Sequence, residues 1–138
     1  SETFHRLFGG GSGEISLSNP NDPLNCGIEI IVQPPGKKRQ LLSLFSGGER
    51  ALTAIAILFA MLKLKPTPFC ILDEIEAALD DANISYFADY LKEFSKDTQF
   101  IVVTHRKGTM ERCDTLFGVA MEERGISSMV SVNLKDYQ

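Results

Sequence analysis

The sequence predicts an α/β fold in which helices flank a largely parallel sheet, with a small β-layer before it and a hairpin after it. Two short, continuously apolar segments, 69–72 and 100–103, have the composition of parallel strands. A helical segment at about 81–94 separates them, and this order is typical of a βαβ unit. A longer segment, from 48 to about 63, is apolar on almost every side, which predicts a mostly buried helix.

The composition is that of an ordinary globular chain. Of 138 residues, 43% are hydrophobic and 23% are charged, and the formal net charge of −4 argues against wrapping nucleic acid by bulk charge. The cysteines Cys26, Cys70 and Cys113 are odd in number and far apart, so we expect reduced thiols. The longest apolar run, 51–62, is too short to span a membrane, and the N-terminus lacks a signal-peptide pattern. We therefore expect a cytoplasmic location and no membrane partner.

The remaining elements are short and lie between turn signals. Apolar residues at 4, 7 and 8 share one helical face, and the glycines at 9–11 would end that helix at once. Alternating or β-branched residues predict strands elsewhere, with Asn, Asp, Pro and Gly between them. These strands are predicted at 14–18, 27–32, 116–121 and 128–134, and the last two would form a hairpin around Gly125.

The first motif with chemical potential is Ser46-Gly47-Gly48-Glu49, at the start of the buried helix. Ser46 and Glu49 have the spacing of a capping box, in which each side chain binds a free backbone amide of the first turn. Capping does not require Gly47 and Gly48, because each glycine costs ~1 kcal/mol relative to alanine inside a helix. Exposed amides and a hydroxyl at a helix N-terminus also suit phosphate oxygens. The motif therefore fits both a structural cap and a phosphate site.

The second motif is Asp73-Glu74, which follows the first apolar strand. α/β folds bind ligands at the carboxyl ends of their parallel strands, and a strand-end aspartate is the usual Mg²⁺ partner in nucleotide sites. Alternation along an extended chain would turn Glu74 away from Asp73, which leaves Glu74 to orient or deprotonate a water molecule. Two solvated acids at a strand end are the structural alternative.

Two further residues lie where a ligand at the same sheet edge would be. Asp80 precedes the 81–94 helix, where it fits the N-cap position. His105 follows the second apolar strand, whose neighbour in the sheet would carry Asp73 and Glu74. A hydrogen-bonded structural histidine is the alternative, yet the predicted topology places His105 near the same ligand.

In this order, the serine-glycine motif, the strand-end acids, Asp80 and His105 resemble the C-terminal half of an ABC-type (P-loop NTPase) ATPase head. The resemblance goes further, because segments 42–83 and 100–114 closely resemble the C-terminal head segment of bacterial structural maintenance of chromosomes (SMC) proteins. It covers nearly the whole chain. Phe45 departs from the family pattern, which usually has leucine before the serine.

The resemblance implies a role for each motif. The residues implied to contact ATP on an opposing head are Ser46, Gly47, Gly48 and Glu49. Asp73 would hold Mg²⁺ through water, and Glu74 would be the general base. Asp80 would be the D-loop residue, and His105 would contact the γ-phosphate. No G-x-x-x-x-G-K-[ST] sequence occurs in the chain, so the phosphate-binding P-loop would come from another polypeptide segment. The chain alone would then be inactive, and ATP and Mg²⁺ would bind in the complete head.

The resemblance also implies a place in a larger assembly. With an N-terminal P-loop lobe, the chain would hydrolyse ATP between two engaged heads and drive chromosome condensation, organisation and segregation at the nucleoid. Its partners would be the P-loop lobe, a second SMC head, a kleisin subunit and, through the full complex, DNA. Residues 1–8 would be the stub of a returning coiled-coil helix, and 9–138 would be the C-terminal lobe of the head.

Two other classes of ATPase share parts of this pattern. An ABC transporter subunit would usually carry its P-loop in the same domain and glutamine in place of Glu49, and neither is present. A Rad50-like or RecN-like DNA-repair ATPase shares the split head, although segments 76–83 and 102–111 favour SMC. The basic residues that either contact DNA or lie in solvated turns are Lys37, Lys38, Arg39, Arg106 and Lys107.

Overall fold

The structure combines four α-helices with three small sheets in residues 1–134, which are the residues that the computed structural model describes. The α-helices are α1 (Glu2–Leu7), α2 (Gly47–Leu64), α3 (Asp81–Phe94) and α4 (Lys107–Met110). The strands are β1 (Ser12–Leu17), β2 (Ile28–Gln33), β3 (Gln40–Leu41), β4 (Phe69–Asp73), β5 (Gln99–Val103), β6 (Thr115–Glu123) and β7 (Ile126–Asn133). The predicted α/β class is confirmed.

The predicted βαβ unit is present, because β4 and β5 pair in parallel and α3 connects them. Their register aligns Asp73 with Val103, so the two strands end level with each other. One face of the pair is open, since Ile71 is 61% exposed and Ile101 is 48% exposed. Burial on both faces, which the apolar composition predicts, is therefore wrong for this chain taken by itself.

Parallel pairing is confined to β4 and β5 among the described residues. Strands β1, β2 and β3 form an antiparallel sheet in that order, and β6 and β7 form the predicted antiparallel hairpin. Fewer strands pair in parallel than the sequence predicts, because no third strand joins β4 and β5 within residues 1–134. Strand β3 was not predicted, since two residues are too short to have a period.

The core lies where α2 and α3 pack over the inner face of β4 and β5. Phe59 of α2 is fully buried, and its ring centroid lies 5.2 Å from that of Tyr90 and 6.0 Å from that of Phe100. Each such ring stabilises the fold by roughly 1.5–3 kcal/mol through its burial. Although α2 has 18 residues, no helix in the described part of the chain is long and apolar enough to cross a membrane.

Helix α1 is attached to α3 by charge and by packing. Its buried residues Phe4 and Leu7 join the core cluster, as the predicted apolar face requires. The Arg6 guanidinium donates both of its terminal nitrogens to the Glu93 carboxylate of α3 and lies 5.4 Å from the centroid of the Tyr90 ring. These contacts fix the direction in which the N-terminal helix leaves the sheet.

The three cysteines are free thiols that are each partly buried. Burial raises the pKa of the Cys70 thiol on β4 and of the Cys113 thiol after α4. Both groups are therefore less reactive than an exposed thiol, because the thiolate is the nucleophile. The reduced state that the sequence predicts agrees with this arrangement.

Gly11 lies between α1 and β1 at a position that has no room for a side chain. Its φ is +75°, and a Cβ atom there would lie 2.1 Å from the carbonyl oxygen of Gln33. Gly36 is a matched control, because its φ is +72° while nothing lies within 4 Å of its Cβ position. Gly36→Ala should cost ~1–2 kcal/mol through backbone strain alone.

We expect Gly11→Ala to lower the free energy of unfolding by about 1–3 kcal/mol more than Gly36→Ala does, because it adds overpacking to the same strain. Urea denaturation of both variants, followed by circular dichroism, measures this difference. Equal losses in the two variants would contradict the close approach of Gln33.

Candidate functional site

The predicted capping box is confirmed at the start of α2. Ser46 is the N-cap, and its Oγ accepts a hydrogen bond from the Glu49 amide at 3.5 Å. In return, Glu49 Oε2 accepts from the Ser46 amide at 3.3 Å and from the Ser46 hydroxyl at 2.9 Å. The sequence folds this way because both side chains satisfy amides that the first helical turn leaves unpaired.

Glu49 is also paired with a cation from the preceding loop. Lys37 Nζ donates to Glu49 Oε1 at 2.8 Å. Burial raises the pKa of the Glu49 carboxyl, but hydrogen bonds from Lys37 and Ser46 outweigh it and hold the pKa below its usual value. Four of the five basic residues considered for DNA contact have ion-pair partners, since Arg39 pairs with Glu14, Arg106 with Asp81 and Lys107 with Glu111.

The two glycines of the motif differ in their surroundings. A Cβ atom at Gly48 would lie 3.1 Å from the carbonyl oxygen of Ala78, which is closer than an ordinary contact. Gly48 therefore allows the start of α2 to approach the loop before α3. At Gly47 a Cβ atom would meet nothing within 4 Å, so packing inside the described chain gives no reason for that glycine.

Asp73 and Glu74 occupy the end of β4, where the chain turns sharply. Glu74 has φ of +48° and is the one residue other than glycine with a positive φ in residues 1–134. Its amide donates to the Val103 carbonyl of β5 at 2.9 Å, so the turn begins while the strands are still paired. The alternation argument is wrong for Glu74, because the residue is not extended and the turn sets its direction. Such strained residues concentrate at functional sites.

His105 and Glu74 meet at the carboxyl end of the strand pair, as the topology predicts. His105 Nδ1 lies 3.3 Å from Glu74 Oε1, and the two side chains are 64% and 54% exposed. Because an ionised carboxylate only accepts, the contact is a hydrogen bond when His105 carries its proton on Nδ1. The Asp73 side chain is exposed beside them and forms no hydrogen bond or ion pair within residues 1–134. Both acids and the histidine are thus accessible to a ligand.

Asp80 is the N-cap of α3, as predicted. Its Oδ1 accepts from the Asn83 amide at 2.9 Å. Arg106 reaches the same loop, because its Nη2 donates to the Leu79 carbonyl at 2.7 Å and lies 3.6 Å from Asp81 Oδ1. Arg106 therefore connects the Asp80 loop to the segment that carries His105. The prediction that Arg106 contacts DNA or lies in a solvated turn did not include this structural role.

The site residues lie in two groups, at the start of α2 and at the carboxyl ends of β4 and β5. Within the described residues, neither Ser46 nor Glu49 forms a hydrogen bond or ion pair with Glu74 or His105. A cleft of about 370 Å³ lies beside the second group. Its lining includes Asp81, His105, Arg106 and Lys107. One chain thus offers a capped helix start on one side and an acid-histidine pair on the other.

Sequence reasoning missed Glu76, which is only 1% exposed. Its Oε1 accepts hydrogen bonds from the hydroxyls of Thr104 and Thr109. In the sequence, Glu76 is one of several acids in a short loop, and nothing in its spacing separates it from solvated neighbours. Only the return of the chain after β5 brings the two threonines to it.

The fold defines a class of protein, namely one lobe of an ABC-type ATPase head. Residues 28–128 match the family model described as "RecF/RecN/SMC N terminal domain". The chain belongs to this family and, by its relatives, to the SMC proteins within it. It is 63% identical over 135 residues to "Chromosome partition protein Smc" of Bacillus subtilis (strain 168), and 62% identical over 132 residues to the protein of the same name from Desulfitobacterium hafniense (strain Y51).

These matches cover 98% and 96% of this chain but 11% of each relative, so the chain spans about a tenth of their length. Solved structures agree in fold. A structure from work on ATP-driven dimerization and DNA-stimulated activation of SMC ATPases superposes with a TM-score of 0.90 at 45% identity, covering 99% of this chain and 83% of that one. The Smc head of Pyrococcus furiosus, bound to the C-terminal domain of ScpA, has a TM-score of 0.88 at 47% identity and 99% and 34% coverage.

The Glu49 ion pair gives the chain a pH dependence with a defined sign. The lowered folded-state pKa means that the contribution of Glu49 to stability is complete above its unfolded pKa of about 4.3 and is lost as the pH falls through the lowered value. We expect Glu49→Gln to be less stable than wild type at pH 7, and this difference to shrink below about pH 4. Urea denaturation between pH 7 and 3 tests it, with the exposed Glu29→Gln as control. A difference that stays constant with pH would contradict the role of the charge.

Proposed function

We propose that this chain is the C-terminal half of an SMC ATPase head. With an N-terminal P-loop lobe it would bind and hydrolyse ATP between two engaged heads, and so drive chromosome organisation and segregation. The single observation that carries the proposal is the contact between Glu74 and His105 at the level ends of β4 and β5, with Asp73 beside it. An acid-histidine pair at this position is suited to activating water next to a phosphate.

The acid-histidine group would perform the chemistry. Glu74, exposed and already turned out of the strand, would accept a proton from the attacking water. His105 would donate its Nδ1 proton to Glu74 and its Nε2 proton to the γ-phosphate, which requires the form of the ring that carries both protons. Asp73 would hold Mg²⁺ through water, because its carboxylate is exposed at the strand end and carboxylates are preferred ligands of this ion. The metal, when bound, supplies positive charge that neutralises the phosphates.

The capped start of α2 would act on the nucleotide of an opposing head. The implied residues are Ser46, Gly47, Gly48 and Glu49. Of these, Gly47 and Gly48 would donate their backbone amides to the phosphate oxygens, and the Ser46 hydroxyl would exchange its bond to Glu49 for one to a phosphate oxygen. The open space at Gly47 supports this, since nothing in the described chain occupies it.

Glu49 departs slightly from the implied role, because both of its oxygens are engaged by Lys37 and Ser46. We propose that Glu49 acts on the nucleotide indirectly, because its bond to the Ser46 amide fixes the start of α2. Asp80 would lie at the surface that meets the second head, where it keeps α3 capped. Without the P-loop of the N-terminal lobe, the chain alone would neither hold nor hydrolyse ATP.

The assembly we propose uses the open surfaces of the chain. The N-terminal lobe would cover the exposed face of β4 and β5, where Ile71 and Ile101 need an apolar partner. A kleisin subunit is proposed as a further partner because the similar Pyrococcus furiosus head is bound to ScpA. DNA would be contacted through the full complex, at the nucleoid in the cytoplasm. Residues 1–8 would continue into a coiled coil, and 9–138 would form the lobe.

Glu74→Gln and Asp73→Asn should separate the two acids in the two-lobe head. Glu74→Gln removes the base but keeps size and hydrogen bonding, so ATP hydrolysis should fall by roughly 10²-fold or more while ATP binding and ATP-dependent dimerisation persist. Asp73→Asn should weaken Mg²⁺ binding and abolish both. ATPase assays and gel filtration measure these outcomes, with the exposed Glu29→Gln as control. Turnover of Glu74→Gln near the wild-type rate would exclude Glu74 as the base.

Ser46→Arg should block ATP-dependent dimerisation of heads and leave ATP binding to each head intact, because Ser46 acts across the interface. The matched control is Ser127→Arg, which places the same charge and bulk at an exposed serine of β7. Equilibrium ATP binding and analytical ultracentrifugation distinguish the two effects. If Ser46→Arg heads dimerise in ATP as the control does, the assignment of this motif is wrong.

A further inference from the structure

Glu76 is a buried carboxylate that the proposed reaction leaves without a role. It lies in the turn between Glu74 and Asp80 and is 1% exposed. One of its oxygens, Oε1, accepts from the hydroxyls of both Thr104 and Thr109, the latter at 3.2 Å. Thr104 immediately precedes His105 in the chain, so Glu76 is one hydrogen bond away from the histidine's own backbone.

A second connection joins the same two segments. The Thr104 hydroxyl that donates to Glu76 also accepts from the Arg106 amide at 3.0 Å. Arg106 in turn donates to the Leu79 carbonyl, in the turn that contains Glu76. The turn at 74–80 and the segment at 104–109 are thus bound together on both sides of His105.

The carboxylate is a poor choice for stability alone. Its second oxygen, Oε2, is buried and has no hydrogen-bond partner within residues 1–134. A buried charge that is only partly hydrogen-bonded lowers stability, and an apolar side chain of similar shape would fill the same space without that cost. The Glu76 carboxylate therefore serves to position the groups that donate hydrogen bonds to it, and not to fill space in the core.

We propose that Glu76 is a positioning residue which, through Thr104, holds His105 within hydrogen-bond distance of Glu74. The inference rests on the proposed function, because it concerns the same acid-histidine pair. Without the carboxylate oxygen, Thr104 loses its acceptor and the backbone that carries His105 is free to shift. Most of the proposed nucleotide contacts, those of Asp73 and of the P-loop lobe, do not depend on this connection, whereas the chemical step depends on it through His105 and Glu74.

The test uses the two-lobe head with Glu76→Leu, Glu76→Gln, Thr104→Val and Thr109→Val. Glu76→Leu and Thr104→Val should each lower kcat about 10-fold or more, because small displacements of a catalytic group cost this much, while KM for ATP and ATP-dependent dimerisation change less than about 2-fold. Glu76→Gln keeps an acceptor oxygen and should recover most of kcat. Thr109→Val removes the hydroxyl that does not adjoin His105 and should have a smaller effect than Thr104→Val.

The outcomes separate this inference from the function on which it rests. If Glu74→Gln abolishes turnover but Glu76→Leu and Thr104→Val keep the wild-type kcat, the positioning role is wrong and the function stands. If Glu74→Gln turns over normally, the function itself fails. Losses of kcat that are equal in Thr104→Val and Thr109→Val and follow the fall in melting temperature would show a merely structural role. Thr104→Val decides the matter should Glu76→Leu not fold.

Discussion

The candidate site depends on the parallel pairing of β4 with β5, in a register that ends both strands at the same height in the sheet. Because Asp73 pairs with Val103, both strands release the chain at the same edge of the sheet. The Glu74 amide then binds the Val103 carbonyl, and this bond places the Glu74 side chain opposite His105. A shift of one residue in this register would turn every strand side chain to the other face and separate the acid from the histidine.

The same pairing leaves one face open, which is why we propose that the chain takes a partner. The inner face of β4 and β5 is covered by α2 and α3, whose aromatic rings meet around Phe59, while the outer face leaves Ile71 and Ile101 open. No hydrogen bond or ion pair joins Ser46 or Glu49 to Glu74 or His105 within residues 1–134. We therefore propose that the lobe supplies two different half-sites, each completed by another segment or another copy.

Structural features that arise from local interactions could be predicted from the sequence, and features that arise from tertiary contacts could not. Interactions within four residues determine the bounds of α3 and its Asp80 cap. They also determine the capping box of Ser46 and Glu49. Such interactions are visible as patterns in the sequence. The left-handed turn at Glu74 and the burial of Glu76 depend on the return of the chain after β5, so no local pattern contains them. The open face of the strand pair was missed for a related reason, since an apolar strand does not tell which polypeptide covers it.

We propose that this chain supplies half-sites which become an ATPase only with a P-loop lobe. The most direct measurement is ATP turnover during titration of the chain with a separately produced N-terminal lobe of an SMC head. We expect no turnover by either part alone, and activity that rises on mixing and saturates at one lobe per chain. Turnover by the chain alone, or a stable complex of the two lobes that never hydrolyses ATP, would contradict it.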